Sequence, residues 1–304
     1  MSVWTAVPAD DFWHRLFSFQ NYGELLGLVH NSLIAGAVLG LVGGLVGVFV
    51  MNRDMAFAVH GVSEISFAGG AAALLASVSV SLGAIVGSLV AAVLIGMLGS
   101  RARERNSITG VLMPFALGLG VLFLALYQGR SANKFGLLTG QIVAVDNPQL
   151  AWLVGTSVVV VVGMAVIWRP LMFASVDPDV AAARGVPARS LSLVFMVLLA
   201  LAVAMAVQVV GALLVLALLV TPAAAAVRVT VSPVWVPVLS VLFAVVSAVG
   251  GIMLALGGSI PISPYVTTIS FLIYLGCRLV GARRGRRGWA RRSGAPVDDV
   301  SVEV

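Results

Sequence analysis

The sequence predicts an all-α fold, a polytopic transmembrane helical bundle, and three observations carry that reading. Of 304 residues 60% are hydrophobic and only 10% charged, with a mean hydropathy of +1.09; a water-soluble domain carries about 25% charged residues. The apolar runs are long, rich in Gly, Ala, Val and Leu, and lack the in-out alternation of barrel strands. The basic residues fall between the runs and gather behind the last one, the ordinary flanking pattern of membrane helices.

Residues 1–26 form an N-terminal interfacial segment. They do not read as a cleavable leader, because a basic start is missing and Asp10 and Asp11 stand where the apolar stretch belongs. Pro8 to Phe17 is a short helix capped by Asp10, with His14 among its interfacial residues. One membrane domain spans 27–282, with no Pro/Gly/Ser-rich linker to divide it, and 283–304 is a basic, polar, disordered tail.

A span needs about 20 apolar residues. The candidates lie at 27–50, 55–78, 80–99, 109–128, 151–168, 190–207, 209–229, 234–256 and 265–281. The run from Leu191 to Val227 decides between nine spans and eight. As one straight helix it would reach roughly 55 Å, nearly twice the hydrocarbon thickness. Gln208 and Gly211 mark a break into two pieces, and Pro222 bends the second, with Thr221 helping to satisfy the freed backbone. The glycines of the first span, Gly36, Gly40, Gly43, Gly44 and Gly47, read as close helix packing.

Charge supports the count of nine. With the N-terminus outside, fifteen basic residues face the cytoplasm, seven of them in the stretch Arg278–Arg292, against three outside: Arg15, Arg130 and Lys134. The net charge of +6 therefore marks a membrane flank beside anionic lipid rather than a nucleic-acid surface. The single Cys277 reads as a small buried apolar residue.

Two segments carry chemistry. In Met55 to Gly69, His60 and Glu64 stand four residues apart, on one helix face, in a stretch otherwise free of charge. Inside a membrane such groups must meet each other, water or a cation, and imidazole with carboxylate is a donor set for a divalent transition metal. Two readings stand: a structural pair closing a helix contact, and an ion path. Gln141 and Gln208 read as polar groups that satisfy backbone rather than as ligands. In the second segment, Phe173 to Pro187, Asp177 caps a short helix, Pro178 takes its first position and Gly185 ends it. It is either a plain loop helix or a docking element for a motor subunit.

Taken in order along the chain, several motifs resemble the permease subunits of bacterial ABC importers for zinc, manganese or iron. They are Phe49-Val50-Met51-Asn52-Arg53-Asp54-Met55, the His60/Glu64 face, Leu138-Thr139-Gly140, Asp179 through Ala183 to Arg184-Gly185, Val210-Gly211 to Leu214, and Leu218-Leu219 to Pro222-Ala223-Ala224. The chain departs from the family in two places. The family's Asp is His60 here and its His is Glu64, so the pair is exchanged. The family's Asp-x-Pro-x-Gly near the outer end of the eighth span is Ser259-Ile-Pro261-Ile-Ser263-Pro264.

The resemblance implies import of a divalent transition metal across the bacterial plasma membrane, with no permanently bound cofactor and His60 and Glu64 as the metal path. It implies a homodimer or close pair of permeases, two cytoplasmic ATPases seated on the helix of Asp177, Asp179, Ala183, Arg184 and Gly185, and an extracellular metal-binding protein. The chain is no ATPase itself: its only lysine, Lys134, stands in no phosphate-binding glycine loop. Two rivals remain. A siderophore or cobalamin permease would have a wide neutral path. An intramembrane metalloenzyme needs two histidines at one site, and only His14, His30 and His60 are present.

Overall fold

Eleven α-helices build the described part of this computed structural model, residues 29–98, 102–129, 145–256 and 262–293. The expected N-terminal helix with Asp10 and His14, Leu138-Thr139-Gly140, Gln141 and Ser259–Pro261 lie outside it. In chain order the helices are α1 His30–Asn52, α2 Ala56–Leu75, α3 Val80–Leu98, α4 Ala102–Leu126, α5 Asn147–Val176, α6 Pro178–Ala183, α7 Ala188–Val210, α8 Val215–Leu219, α9 Thr221–Val229, α10 Trp235–Ala255 and α11 Ile262–Ser293. Eight of them are long and apolar enough to cross a membrane.

The seventh predicted span, 209–229, is present as a broken one. α7 stops at Val210, Gly211 takes φ +89°, and a 3-10 turn, Ala212–Leu214, leads into α8 and α9. That φ suits glycine alone without strain, so the break falls where the sequence placed it. Pro222 differs from expectation: it stands in the first turn of α9, starting a helix instead of bending one. A proline lacks the N–H that a first turn leaves unpaired in any case.

Contacts show that the broken stretch still traverses the bundle. At one end Gln208 Nε2 donates to the Ser81 carbonyl. From there Leu218 passes Gly43, Ala226 packs with Val48, and Arg228 reaches Gly281. Among the described residues there are thus eight whole spans and one further stretch in pieces, and neighbouring contacts agree on their directions. Asn31 Nδ2 donates to Asn147 Oδ1 at one end (2.8 Å), and Arg105 Nη2 donates to the Arg53 carbonyl at the other (3.0 Å). Every described arginine lies at the Arg53 end.

α1, α2 and α7 are the most buried spans; α4, α5 and α11 are the least. Small residues allow this packing. A Cβ on Gly40 would stand 2.7 Å from the Val245 Cα, so α1 and α10 touch backbone to backbone, and Ser240 Oγ donates to the Gly44 carbonyl across the same seam (2.8 Å). α11 runs helical beyond Arg283 to Ser293, past the expected start of the tail. Arginine and alanine are good helix formers, which favours continuation.

Candidate functional site

α2 is a central helix, packed chiefly on α3 and α4. Its start is set by a tight reversal after α1, where Met55 N–H donates to the Val50 carbonyl and Asp54 takes the left-handed position, φ 51°. Eight residues into α2, about 12 Å along its axis, lies Glu64, 4% exposed. Ser66 Oγ ties the same turn to the Ala84 carbonyl of α3, and Ser63 Oγ donates to the His60 carbonyl.

His60 Nε2 and Glu64 Oε1 are 3.8 Å apart, with side-chain exposures of 27% and 5%. That exceeds hydrogen-bond reach. Glu64 Oε2 and His60 Nδ1 are also buried without a hydrogen-bond partner among the described residues. A structural pair would close this gap, because unpaired buried polar atoms are costly. Metal bonds to imidazole and carboxylate run near 2.1 Å, so one cation between the two atoms reaches both. Among the described residues no group of three or more His, Cys, Asp or Glu assembles; His60 and Glu64 offer a two-donor face.

The short helix of the 173–187 segment has the local structure read from its residues. Asp177 accepts from Val180 N–H (3.0 Å), and α6 spans Pro178–Ala183. Val186 N–H donates to the Ala181 carbonyl and Gly185 N–H to the Ala182 carbonyl, closing the helix with Gly185 at φ +79°. Ala181 is fully buried, while Asp177, Asp179, Ala183, Arg184 and Gly185 are exposed, with Val176 and Val180 beside them. The segment thus presents a mixed charged and apolar surface on a rigid stub.

Two features have no sequence signal beyond single residues. Arg53 joins three helices: its Nη2 donates to Ser192 Oγ of α7 (3.1 Å), its guanidinium lies 5.8 Å from the Phe195 ring centroid, and its carbonyl accepts from Arg105 of α4. Burial, and after it the Arg105 charge, lower the Arg53 pKa below the usual arginine range. α6 is thereby linked through α7 to the turn that starts α2. At the opposite end a cavity of about 480 Å3 opens among Ser81, Asp146, Gln149, Trp152 and Gln208. Asp146 caps α5 by accepting from Gln149 N–H (2.8 Å), and Gln208 satisfies the Ser81 carbonyl, as expected of a backbone-satisfying amide.

The ABC 3 transport family matches residues 26–281. The manganese transport system membrane protein MntC of Halalkalibacterium halodurans is 29% identical over 74% of this chain and 77% of its own. The manganese import system permease protein ScaB of Streptococcus parasanguinis is 31% identical over 65% and 71%. The high-affinity zinc uptake system membrane protein ZnuB of Haemophilus influenzae is 26% identical over 82% and 95%. Among solved structures, PsaBC from Streptococcus pneumoniae in complex with Fab superposes with a TM-score of 0.76 at 26% identity, over 84% of this chain and 94% of that one.

Proposed function

Because this chain belongs to the ABC 3 transport family, we propose that it is the membrane permease of an ATP-driven importer for manganese or zinc, with His60 and Glu64 as the face that meets the ion in transit. The multi-pass fold and the relatives that carry manganese and zinc in their names support the class of cargo. The observation that carries the residue assignment is the open pair on α2: two metal donors inside a span, 3.8 Å apart, each with a buried atom that has no hydrogen-bond partner among the described residues. Two donors suit conduction. A closed four-ligand site would hold the ion as a structural site does.

The permease is one part of an ABC transporter complex, and ATP hydrolysis belongs to a separate subunit. In our reading the ATPases, as a pair, seat on α6 through Asp179, Ala183 and Arg184, with Asp177 and Gly185 fixing its two ends. A second copy of this chain completes the path, doubling the donor set to two histidines and two glutamates. An extracellular binding protein delivers the metal at the Asn31 end. The Arg53 end faces the cytoplasm, supported by the gathering of every described arginine there.

The test is the metal content of cells with and without the chain, under scarcity of manganese, zinc and iron in turn. A deficit of manganese or zinc, confined to the cells lacking it, is expected. Equal content of every metal in both would overturn the reading.

A further inference from the structure

At the Arg53 end a cavity of about 860 Å3 lies between α1, the last turns of α5 and the Thr230–Val234 corner that joins α9 to α10. A second, of about 640 Å3, adjoins it deeper along α5, and the two share Trp168, Arg169, Pro233 and Val234. Together they form one groove on the surface of the bundle. Its polarity is graded. Asn52, Arg169 and Thr230 stand at the end, whereas the far lining, Leu45, Val161 and Met164, is wholly apolar. Among the described residues Arg169 is the only charged one in either lining, and it is exposed.

From Arg169 back to Val161 the groove runs about 12 Å along α5, most of the roughly 15 Å depth of one leaflet. A cation and polar donors at headgroup level, an aromatic ring beside them and an apolar trough beneath match one molecule of the surrounding solvent: a phospholipid. The single unopposed cation selects an anionic one, as basic pockets between helices do. We propose that this groove binds one anionic phospholipid, its phosphate at Arg169 and one acyl chain between α5 and the Pro233–Pro237 turn.

The site has a consequence for coupling. Met172, Phe173 and Val176 line the groove and stand in the last turns of α5, immediately before Asp177 caps α6. A bound lipid braces the base of that stub, so its removal loosens the seat on which a motor subunit would press. The lipid site stands on the groove alone; only the coupling effect rests on the transport reading.

The test uses the full chain purified with its ATPase subunit, reconstituted in equimolar phosphatidylcholine and phosphatidylglycerol. Native mass spectrometry should find one phosphatidylglycerol retained per permease. Arg169→Gln should cut that preference about tenfold, the scale of one lost charged hydrogen bond. Val234→Trp, which fills the groove without touching charge, should abolish retention. Arg189→Gln, exposed at the same end but outside the groove, should leave it unchanged, and glycerol phosphate without acyl chains should not compete. Equal losses from Arg169→Gln and Arg189→Gln would mean bulk surface charge only. Competition by glycerol phosphate would mean an anion site without a lipid. Cross-linking of a cysteine at position 234 to a second copy or to the ATPase would mean that protein covers the groove. Each of these results overturns the assignment. Loss of transport with lipid retention intact would instead bear on the transport reading.

Discussion

An ionisable side chain in the hydrocarbon costs several kcal/mol unless it is paired, and α2 holds two within one turn. The order of the pair along the helix is exchanged relative to the Asp-then-His order that the family resemblance describes, yet the face they share is unchanged, because i and i+4 meet on one side either way. His60→Asp combined with Glu64→His should therefore retain measurable uptake, with an altered ratio of manganese to zinc because the imidazole moves by one turn. Uptake at background level in the double variant, at normal membrane abundance, would show that the order itself is required. The pair was legible in the sequence because charge is so scarce in these spans. The three-way contact of Arg53 was not: its partner Ser192 is 139 positions away, and no local pattern announces a pairing at that distance.

Short helices depend on their ends. α6 has six residues, too few to persist alone, so the Asp177 cap and the left-handed Gly185 hold it in place. Both ends were visible in the residues, since caps are local chemistry. A branched residue at Gly185 must adopt φ +79° against its own Cβ, at about 1 kcal/mol or more. Gly185→Val should weaken recovery of the ATPase on co-purification while the permease still inserts, and Asp179→Lys should do the same through charge. Full recovery with both variants would mean that α6 carries no docking role. The internal form of the broken span was less legible. Length and Gly211 announced a break, but a proline alone does not say whether it kinks a helix or opens one. The close packing of Leu218 and Leu219 on α1 supplies the answer.

At the scale of the whole molecule, we propose that the arginine-rich end lies inside, because basic residues flank membrane helices on the cytoplasmic side. Fusions at the two termini should report a cytoplasmic C-terminus and an external N-terminus; a C-terminal phosphatase active outside the cell would contradict the orientation. The passes were legible because their length and hydropathy are local properties. The cavity around Asp146 and the groove beside Arg169 were not, for each is assembled from three distant segments. Both kinds of feature serve one account, in which a divalent metal crosses at the face of α2 and ATP-driven motion reaches that face from α6 through α7 and Arg53. The most direct measurement is uptake of labelled manganese and zinc into cells lacking other importers, comparing the unaltered chain with His60→Asn and Glu64→Gln at matched membrane levels. The amides keep size and neutral hydrogen bonding but are poor metal donors, so uptake should fall at least tenfold in each while the protein stays folded and its ATPase bound. Unaltered uptake of both metals by both variants would contradict the account.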